Sequence, residues 1–183
     1  MGILIAWLGR PGAMKILRAA RDLLETAAPL KVNCGRLCER ACCQSDATGE
    51  NGMLLFPYEE FLYQRIIEGF PYRLVPDESV RSGGVRLVCE GHCLRERRPL
   101  ACRLFPLRLR VLFDEPEAHP TANPEIDPRA WALCPLVEQR RLSVLNPAFV
   151  TAVKAAGTLL VKNLYHLEFL VREQAVLDEA RRL

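Results

Sequence analysis

Residues 34–43, CGRLCERACC, place four of the chain's eight cysteines within ten positions and end in an adjacent pair, Cys42 and Cys43. A second group lies in residues 87–106, LVCEGHCLRERRPLACRLFP, and Cys134 stands apart in front of Pro135. A packed core does not need polar thiols at this density. Thiolate is a soft ligand that selects zinc, copper(I) or iron–sulfur clusters. The sequence therefore predicts a metal site, with the rest of the chain as its housing.

The spacing inside the first group is compatible with more than one arrangement of the sulfurs. Cys34, Cys38 and Cys42 are four residues apart, and positions i and i+4 share one face of a helix. On such a helix Cys43 would point about 100° away from that face. Eight sulfurs suffice for two four-coordinate sites, and equally for one site with spare thiols.

Cysteine usage also indicates a compartment. Eight cysteines in a small secreted protein would suggest four disulfides. Neighbours such as Cys42 and Cys43 pair with each other only through a strained ring, and a hydrophobic content of 50% can build a core without cross-links. The apolar run at residues 2–8 follows no basic residue and is too short to span a membrane. We therefore expect a cytoplasmic protein with no membrane association.

A length of 183 residues fits one domain, or one domain with a helical appendage. We expect an N-terminal extension (1–13), a cysteine-cluster metal-binding domain (14–140) and a C-terminal helical segment packing on that domain (141–183). The net charge of +3 is too small to predict a nucleic-acid partner. Residues 81–110 nevertheless carry eight arginines against two glutamates. These arginines could neutralise a bound thiolate cluster or form a solvated basic face.

Hydrophobic periodicity predicts an α+β fold in which a small cysteine-rich metal-binding core with short strands is flanked by helices. Asn146-Pro147 is a helix start, a capping side chain followed by proline, and a long C-terminal helix is expected from there to the end of the chain. Gly157 or Asn163 could kink that helix. The other predicted helices are 14–28, 58–68 and a short one after Pro128. The predicted strands are 53–56, 72–75, 85–88 and 107–113, and 114–127 is predicted as a loop.

Residues 98–106, RPLACRLFP, together with the early cluster that ends in Cys-Cys, resemble the YkgJ-type cysteine-cluster family, a zinc- or iron-chelating domain. That family carries Arg-Pro-x-x-Cys-Arg-x-Phe-Pro after its first cluster, and MLLFPYEEF at 53–61 is similar to its following strand and helix. The resemblance covers residues 34–106. It implies metal binding by seven cysteines, with an eighth candidate from the C-terminal half: Cys34, Cys38, Cys42, Cys43, Cys89, Cys93 and Cys102, then Cys134.

The chain also departs from the family pattern. The family's first cluster usually has two-residue gaps, and the wider gaps here are similar to those of flagellin lysine N-methylases. His92 lies between two candidate ligands and could bind metal or support the ligands from outside. Arg98 and Arg103 could donate hydrogen bonds to metal-bound sulfurs or fix the loop, as groups behind metal ligands do. Alternatively they form salt bridges with nearby carboxylates.

The metal and the activity stay open between several hypotheses. An adjacent cysteine pair is uncommon in simple structural zinc sites, which favours an iron–sulfur cluster (4Fe–4S) over zinc. A cluster would suit a redox protein or an accessory to a modifying enzyme. Zinc would suit a structural module that binds a protein partner, and a flagellin lysine N-methylase-like enzyme is a third alternative. The sequence lacks phosphate-binding, dinucleotide-binding, HExxH and nucleophile-elbow motifs, so no catalytic residue is predicted.

Overall fold

The computed structural model describes residues 2–31, 34–43, 52–89, 95–113, 119–138 and 141–180. Within these ranges the chain forms five α-helices and two small antiparallel sheets, so the predicted α+β class is confirmed. The helices are α1 (Gly2–Leu23), α2 (Leu100–Leu104), α3 (Ala130–Leu133), α4 (Pro147–Leu160) and α5 (Leu164–Ala180). No helix in these ranges is both long enough and apolar enough to cross a lipid bilayer.

Helix α1 differs from the predicted helix at both ends, because it already includes residues 2–13 and it stops at Leu23. Its buried face carries Ala13, Leu17 and Ala20 at three- and four-residue spacing. Beyond the helix, the carbonyls of Glu25 and Ala27 accept hydrogen bonds from the Arg95 guanidinium. This long-range contact satisfies backbone groups that the end of a helix leaves without partners.

The first sheet contains β1 (Met53–Leu54), β2 (Tyr72–Pro76) and β3 (Val85–Cys89) in the order β1-β3-β2. Tyr72 pairs with Cys89 and Met53 pairs with Leu87, both antiparallel. The strands predicted at 72–75 and 85–88 are confirmed, and the one predicted at 53–56 is shorter than expected. Strand β3 ends on Cys89, which places that thiol at the end of the central strand.

The helix predicted at 58–68 is wrong, since only a 3-10 helix at Glu59–Leu62 forms there. Tyr58 adopts a left-handed conformation with φ of 68°, which breaks the helical path before it starts. Glu59 turns its carboxylate into the protein, where it is fully buried and accepts a hydrogen bond from the Phe56 amide. Of the apolar residues at helical spacing here, Phe61, Leu62 and Ile67 are half-buried and Ile66 is 99% exposed, so the periodicity does not mark a buried helical face.

The second sheet pairs β4 (Leu107–Leu112) with β5 (Thr121–Ile126). Strand β5 lies in the segment predicted as a loop, so that prediction is wrong for residues 121–126. Pro124 is tolerated because a two-stranded sheet leaves one side of β5 unpaired. Along β4, Leu107, Leu109 and Val111 alternate with Arg108 and Arg110, yet Arg108 is only 3% exposed. Asp178 of α5 covers that face and accepts a hydrogen bond from Arg108 at 2.5 Å.

Helix α4 begins as predicted, with Asn146 Oδ1 accepting from the Ala148 amide at 3.1 Å and Pro147 in the first position. The predicted long C-terminal helix forms as two helices, α4 and the 17-residue α5, and the break lies at Asn163, one of the two positions at which a kink was predicted. Asn163 separates them, because its side chain accepts from the amides of Tyr165 and His166 and caps α5. Gly157 lets α4 approach β5 closely, since a Cβ there would lie 3.1 Å from the Ala122 oxygen.

Candidate metal centre

The first cysteine group forms two 3-10 turns, Cys34–Arg36 and Ala41–Cys43, where one helical face was considered from the spacing. Between them Glu39 and Arg40 have positive φ values of 49° and 60°, and the Arg40 amide donates to the Gly35 carbonyl at 3.0 Å. The chain reverses there. As a result the cysteines before and after the reversal face a common space and do not line the side of a helix.

Six cysteines line one cavity of about 60 Å³. A cavity needs roughly 10–15 Å³ of volume accessible to a water's centre to hold one water, so this cavity has room for more than a single water. The thiols come from the two 3-10 turns, from Cys38 between those turns, from α2 and from the residue after α3. Four arginines and several apolar side chains complete the walls. The cysteines are Cys34, Cys38, Cys42, Cys43, Cys102 and Cys134, and the arginines are Arg40, Arg95, Arg98 and Arg103.

A second cavity, of about 70 Å³, shares Cys42, Cys43 and Cys102 with the first and adds Cys89 from the end of β3. All seven cysteines that the structure describes therefore line one of two cavities with common walls. Each of the seven is free of a disulfide. Cys93 and His92 lie outside the described residues. The structure thus brings together thiols that are up to a hundred residues apart along the chain.

The thiols affect one another electrostatically. Burial raises the pKa of Cys34, the neighbouring thiols of Cys42 and Cys38 raise it further, and the arginines at 98 and 95 lower it without reversing the shift. Burial also raises the pKa of Cys134, with added contributions from the same group of thiols. Several thiolates confined in one cavity would repel each other, so these thiols favour the protonated form. A bound cation reverses this preference, because it stabilises thiolate directly.

The arginines of the first cavity differ in their role. Arg103 is 8% exposed and donates to three backbone carbonyls, those of Arg98, Arg21 and Glu96, at 3.0, 2.8 and 2.5 Å. It therefore holds the chain before α2 in place. Arg98 lines both the cysteine cavity and a neighbouring cleft. Of the roles considered for Arg103, fixing the loop is the one its hydrogen bonds support.

Sequence reasoning missed the buried carboxylate that positions α2. Glu59 accepts hydrogen bonds from Arg21 Nη1 at 2.5 Å and from the Leu100 amide at 2.8 Å, at the first residue of α2. An anion at a helix N-terminus stabilises the helix, and here that helix carries Cys102. The available signal was an acidic residue inside the apolar stretch MLLFPYEEF, where an unpaired charge would be costly.

The donor set suits a thiolate-ligated metal, although the described side chains do not form a finished site. Among the described residues no group of three or more histidine, cysteine, aspartate or glutamate side chains is placed to hold a metal ion. The sulfurs of Cys42 and Cys43 lie 3.9 Å apart. With zinc–sulfur bonds of about 2.3 Å, two thiolates on one tetrahedral zinc are roughly 3.8 Å apart. The adjacent pair therefore already has a spacing that one ion can bridge, while the other thiols would need to rotate.

Comparison of the chain with protein-family models, with curated proteins and with solved structures gives no match. The similarity of residues 98–106 to the YkgJ-type motif therefore stays a prediction.

Proposed function

We propose that the protein binds a thiolate-ligated metal centre, an iron–sulfur cluster or zinc, in the cavities lined by its cysteines. The observation that carries this proposal is the convergence of six cysteines on one small cavity. Buried free cysteines are common as single small apolar residues, but only Cys134 of the six is buried, so a role in the core does not account for the other five. Soft sulfur donors in such number are typical of zinc and iron–sulfur sites.

An iron–sulfur cluster acting in electron transfer, or as an accessory to a modifying enzyme, is the first form of the proposal. Four arginines line the same cavity, and a cluster with four thiolate ligands carries net negative charge. Positive charge beside such a cluster favours its reduced form, because reduction adds a further negative charge. When bound, the cluster would supply one-electron chemistry. The chain itself would contribute the ligands, the surrounding positive charge and the apolar walls formed by Met53, Phe105 and Leu133.

Zinc is the second candidate, favoured by the 3.9 Å separation of the Cys42 and Cys43 sulfurs. In a cubane cluster each cysteine binds a different iron, whereas a tetrahedral zinc holds its sulfurs at about this separation. Zinc would make the site structural, and the protein would then act as a module for a protein partner. Nothing in the described residues favours the methylase-like alternative over these two.

Either centre needs reduced thiols, and we therefore propose the reducing cytoplasm as the protein's compartment. None of the seven described cysteines is in a disulfide, which supports this compartment.

Anaerobic purification followed by zinc, iron and acid-labile sulfide analysis, beside an absorption spectrum, tests the proposal. Iron with sulfide and a broad visible band would establish the cluster, and stoichiometric zinc without colour would establish the zinc site. The Cys42→Ser variant should lose metal, since its thiol lines both cavities. Leu37→Ala is the matched control, because Leu37 is 65% exposed between the two 3-10 turns of the same cysteine segment and has no thiol. A protein that binds neither metal would refute the proposed metal centre. A Cys42→Ser variant with full metal content would refute the assignment of Cys42 as a ligand.

A further inference from the structure

A cleft of about 530 Å³ lies beside the cysteine cavity, between the chain that follows α1 and the beginning of α4. Small-molecule sites in proteins occupy roughly 300–1,000 Å³. The lining combines apolar and cationic side chains, and none of the described residues that line the cleft is acidic. The apolar lining includes Leu23, Ala27, Leu30, Ala148 and Ala152, and the cations are Lys31, Arg95 and Arg98.

Arg95 is held in place by neutral groups. Its Nε donates to the Glu25 carbonyl at 3.3 Å, and its Nη2 donates to the Ala27 carbonyl. These bonds orient the guanidinium but do not cancel its charge. Burial lowers the pKa of Arg95, the positive charge of Arg98 lowers it further, and the neighbouring Cys34 opposes this shift. Because both arginines line the cleft, their charges favour an anionic ligand there over a neutral one.

Helix α4 adds to the positive potential of the cleft. It is fourteen residues long, and Asn146 and Ala148 at its N-terminal end line the cleft. The Ala148 amide already donates to the Asn146 side chain, so the helix contributes mainly the positive end of its dipole. The side chains of Lys31, Arg95 and Arg98 remain the direct contacts for a ligand.

We propose that this cleft binds an organic oxyanion, a phosphate or carboxylate group carried on a small apolar body. The oxyanion lies against Lys31, Arg95 and Arg98, and the body packs on the apolar lining formed by Leu23 and the alanines. Phosphate and carboxylate share the chemistry that these cations recognise. Arg95 and Arg98 also line the cysteine cavity, whereas Lys31 lines only the cleft. Lys31 therefore separates ligand binding in the cleft from any effect on a metal centre.

The test is calorimetric titration of the purified full chain, at fixed metal content, with phenyl phosphate, benzoate, inorganic phosphate and phenol. Phenyl phosphate should bind more tightly than inorganic phosphate, which lacks the apolar body, and more tightly than phenol, which lacks the charge. Benzoate against phenyl phosphate distinguishes the two oxyanion sources. Binding should weaken as salt is added, because the cleft is open to solvent.

Variants locate the binding. Arg98→Gln should weaken phenyl phosphate binding about tenfold, and Lys31→Gln, at a more exposed position, about threefold. Arg97→Gln is the matched control, because Arg97 is adjacent and exposed but does not line the cleft. Unchanged affinity in both Lys31→Gln and Arg98→Gln, at unchanged melting temperature, would overturn the proposal. So would a wild-type chain that binds none of the anions at millimolar concentration, whatever its metal content.

Discussion

Replacing Glu59 by glutamine tests the buried ion pair that holds α2 and, with it, Cys102. The Glu59 carboxylate is fully buried, and the Arg21 side chain beside it is 11% exposed. The carboxylate accepts from Arg21 at 2.5 Å and from the amides of Leu100 and Phe56 at 2.8 and 3.2 Å. Arg21 also donates to the Tyr63 hydroxyl at 3.0 Å. Both charges are thus removed from water and are compensated by each other.

The expected cost follows from that burial. Removing one partner of a buried pair leaves the other charge uncompensated, which costs about 3–5 kcal/mol. Glutamine has the shape of glutamate and can still accept one or two of the hydrogen bonds, so the lost charge, not a cavity, is the main change. Since domains are stable by about 5–15 kcal/mol in total, Glu59→Gln should remove a large part of the stability. It should also loosen α2, because the Leu100 amide loses its anionic acceptor.

Urea unfolding of the wild type, Glu59→Gln, Arg21→Met and the double variant measures the pair. The double variant should be less destabilised than the sum of the single variants, since it leaves no uncompensated charge. Glu168→Gln is the control: its pair with Arg172 is about half exposed on both sides, and its loss should cost about 0.5 kcal/mol or less. A cost below about 1 kcal/mol for Glu59→Gln, or strict additivity in the double variant, would contradict the argument.

Three further predictions concern other parts of the molecule. Burial lowers the pKa of His166 in the folded protein, so as the pH falls the unfolded chain binds the proton before the folded chain does. The free energy of unfolding should therefore decrease as the pH drops below about 6.5. Urea unfolding midpoints at pH 7 and 5.5 should show this decrease for the wild type and a smaller one for His166→Gln. In metal-free protein, iodoacetamide should modify the exposed Cys42 faster than Cys134. Cys134 is 9% exposed, and burial raises its pKa, so less of it is thiolate. Equal modification rates in peptide mass spectrometry would contradict this. Gly157→Ala should destabilise the protein by about 1–3 kcal/mol, because its Cβ would lie 2.8 and 3.1 Å from neighbouring atoms. Gly12→Ala, on α1 with no atom near the added Cβ, should stabilise it by about 0.5–1 kcal/mol. Thermal unfolding in which Gly12→Ala is the less stable of the two variants would refute the packing argument.

Elements whose signals are local were predictable from the sequence. The Asn146-Pro147 start of α4 depends on one capping hydrogen bond and one fixed φ angle, and both are properties of neighbouring residues. The strands at 72–75 and 85–88 follow from their apolar content and their turn-forming flanks. The helix prediction for residues 58–68 was wrong because the Glu59 side chain binds Arg21 and the Leu100 amide, about forty residues away along the chain. These tertiary contacts override the helical periodicity of the segment.

For the candidate site, too, some properties follow from local sequence and others only from the tertiary structure. The choice of soft sulfur donors, and hence the kinds of metal that could be bound, follows from side-chain chemistry and is readable in the residues themselves. Only the tertiary structure decides that Cys134 lines the same cavity as Cys34, that Arg103 donates to backbone carbonyls, and that Lys31 and Arg98 face one cleft. The physical reason is that local periodicity and capping involve near neighbours along the chain. Cavities and charge clusters instead arise where distant segments pack, at positions that the whole core determines.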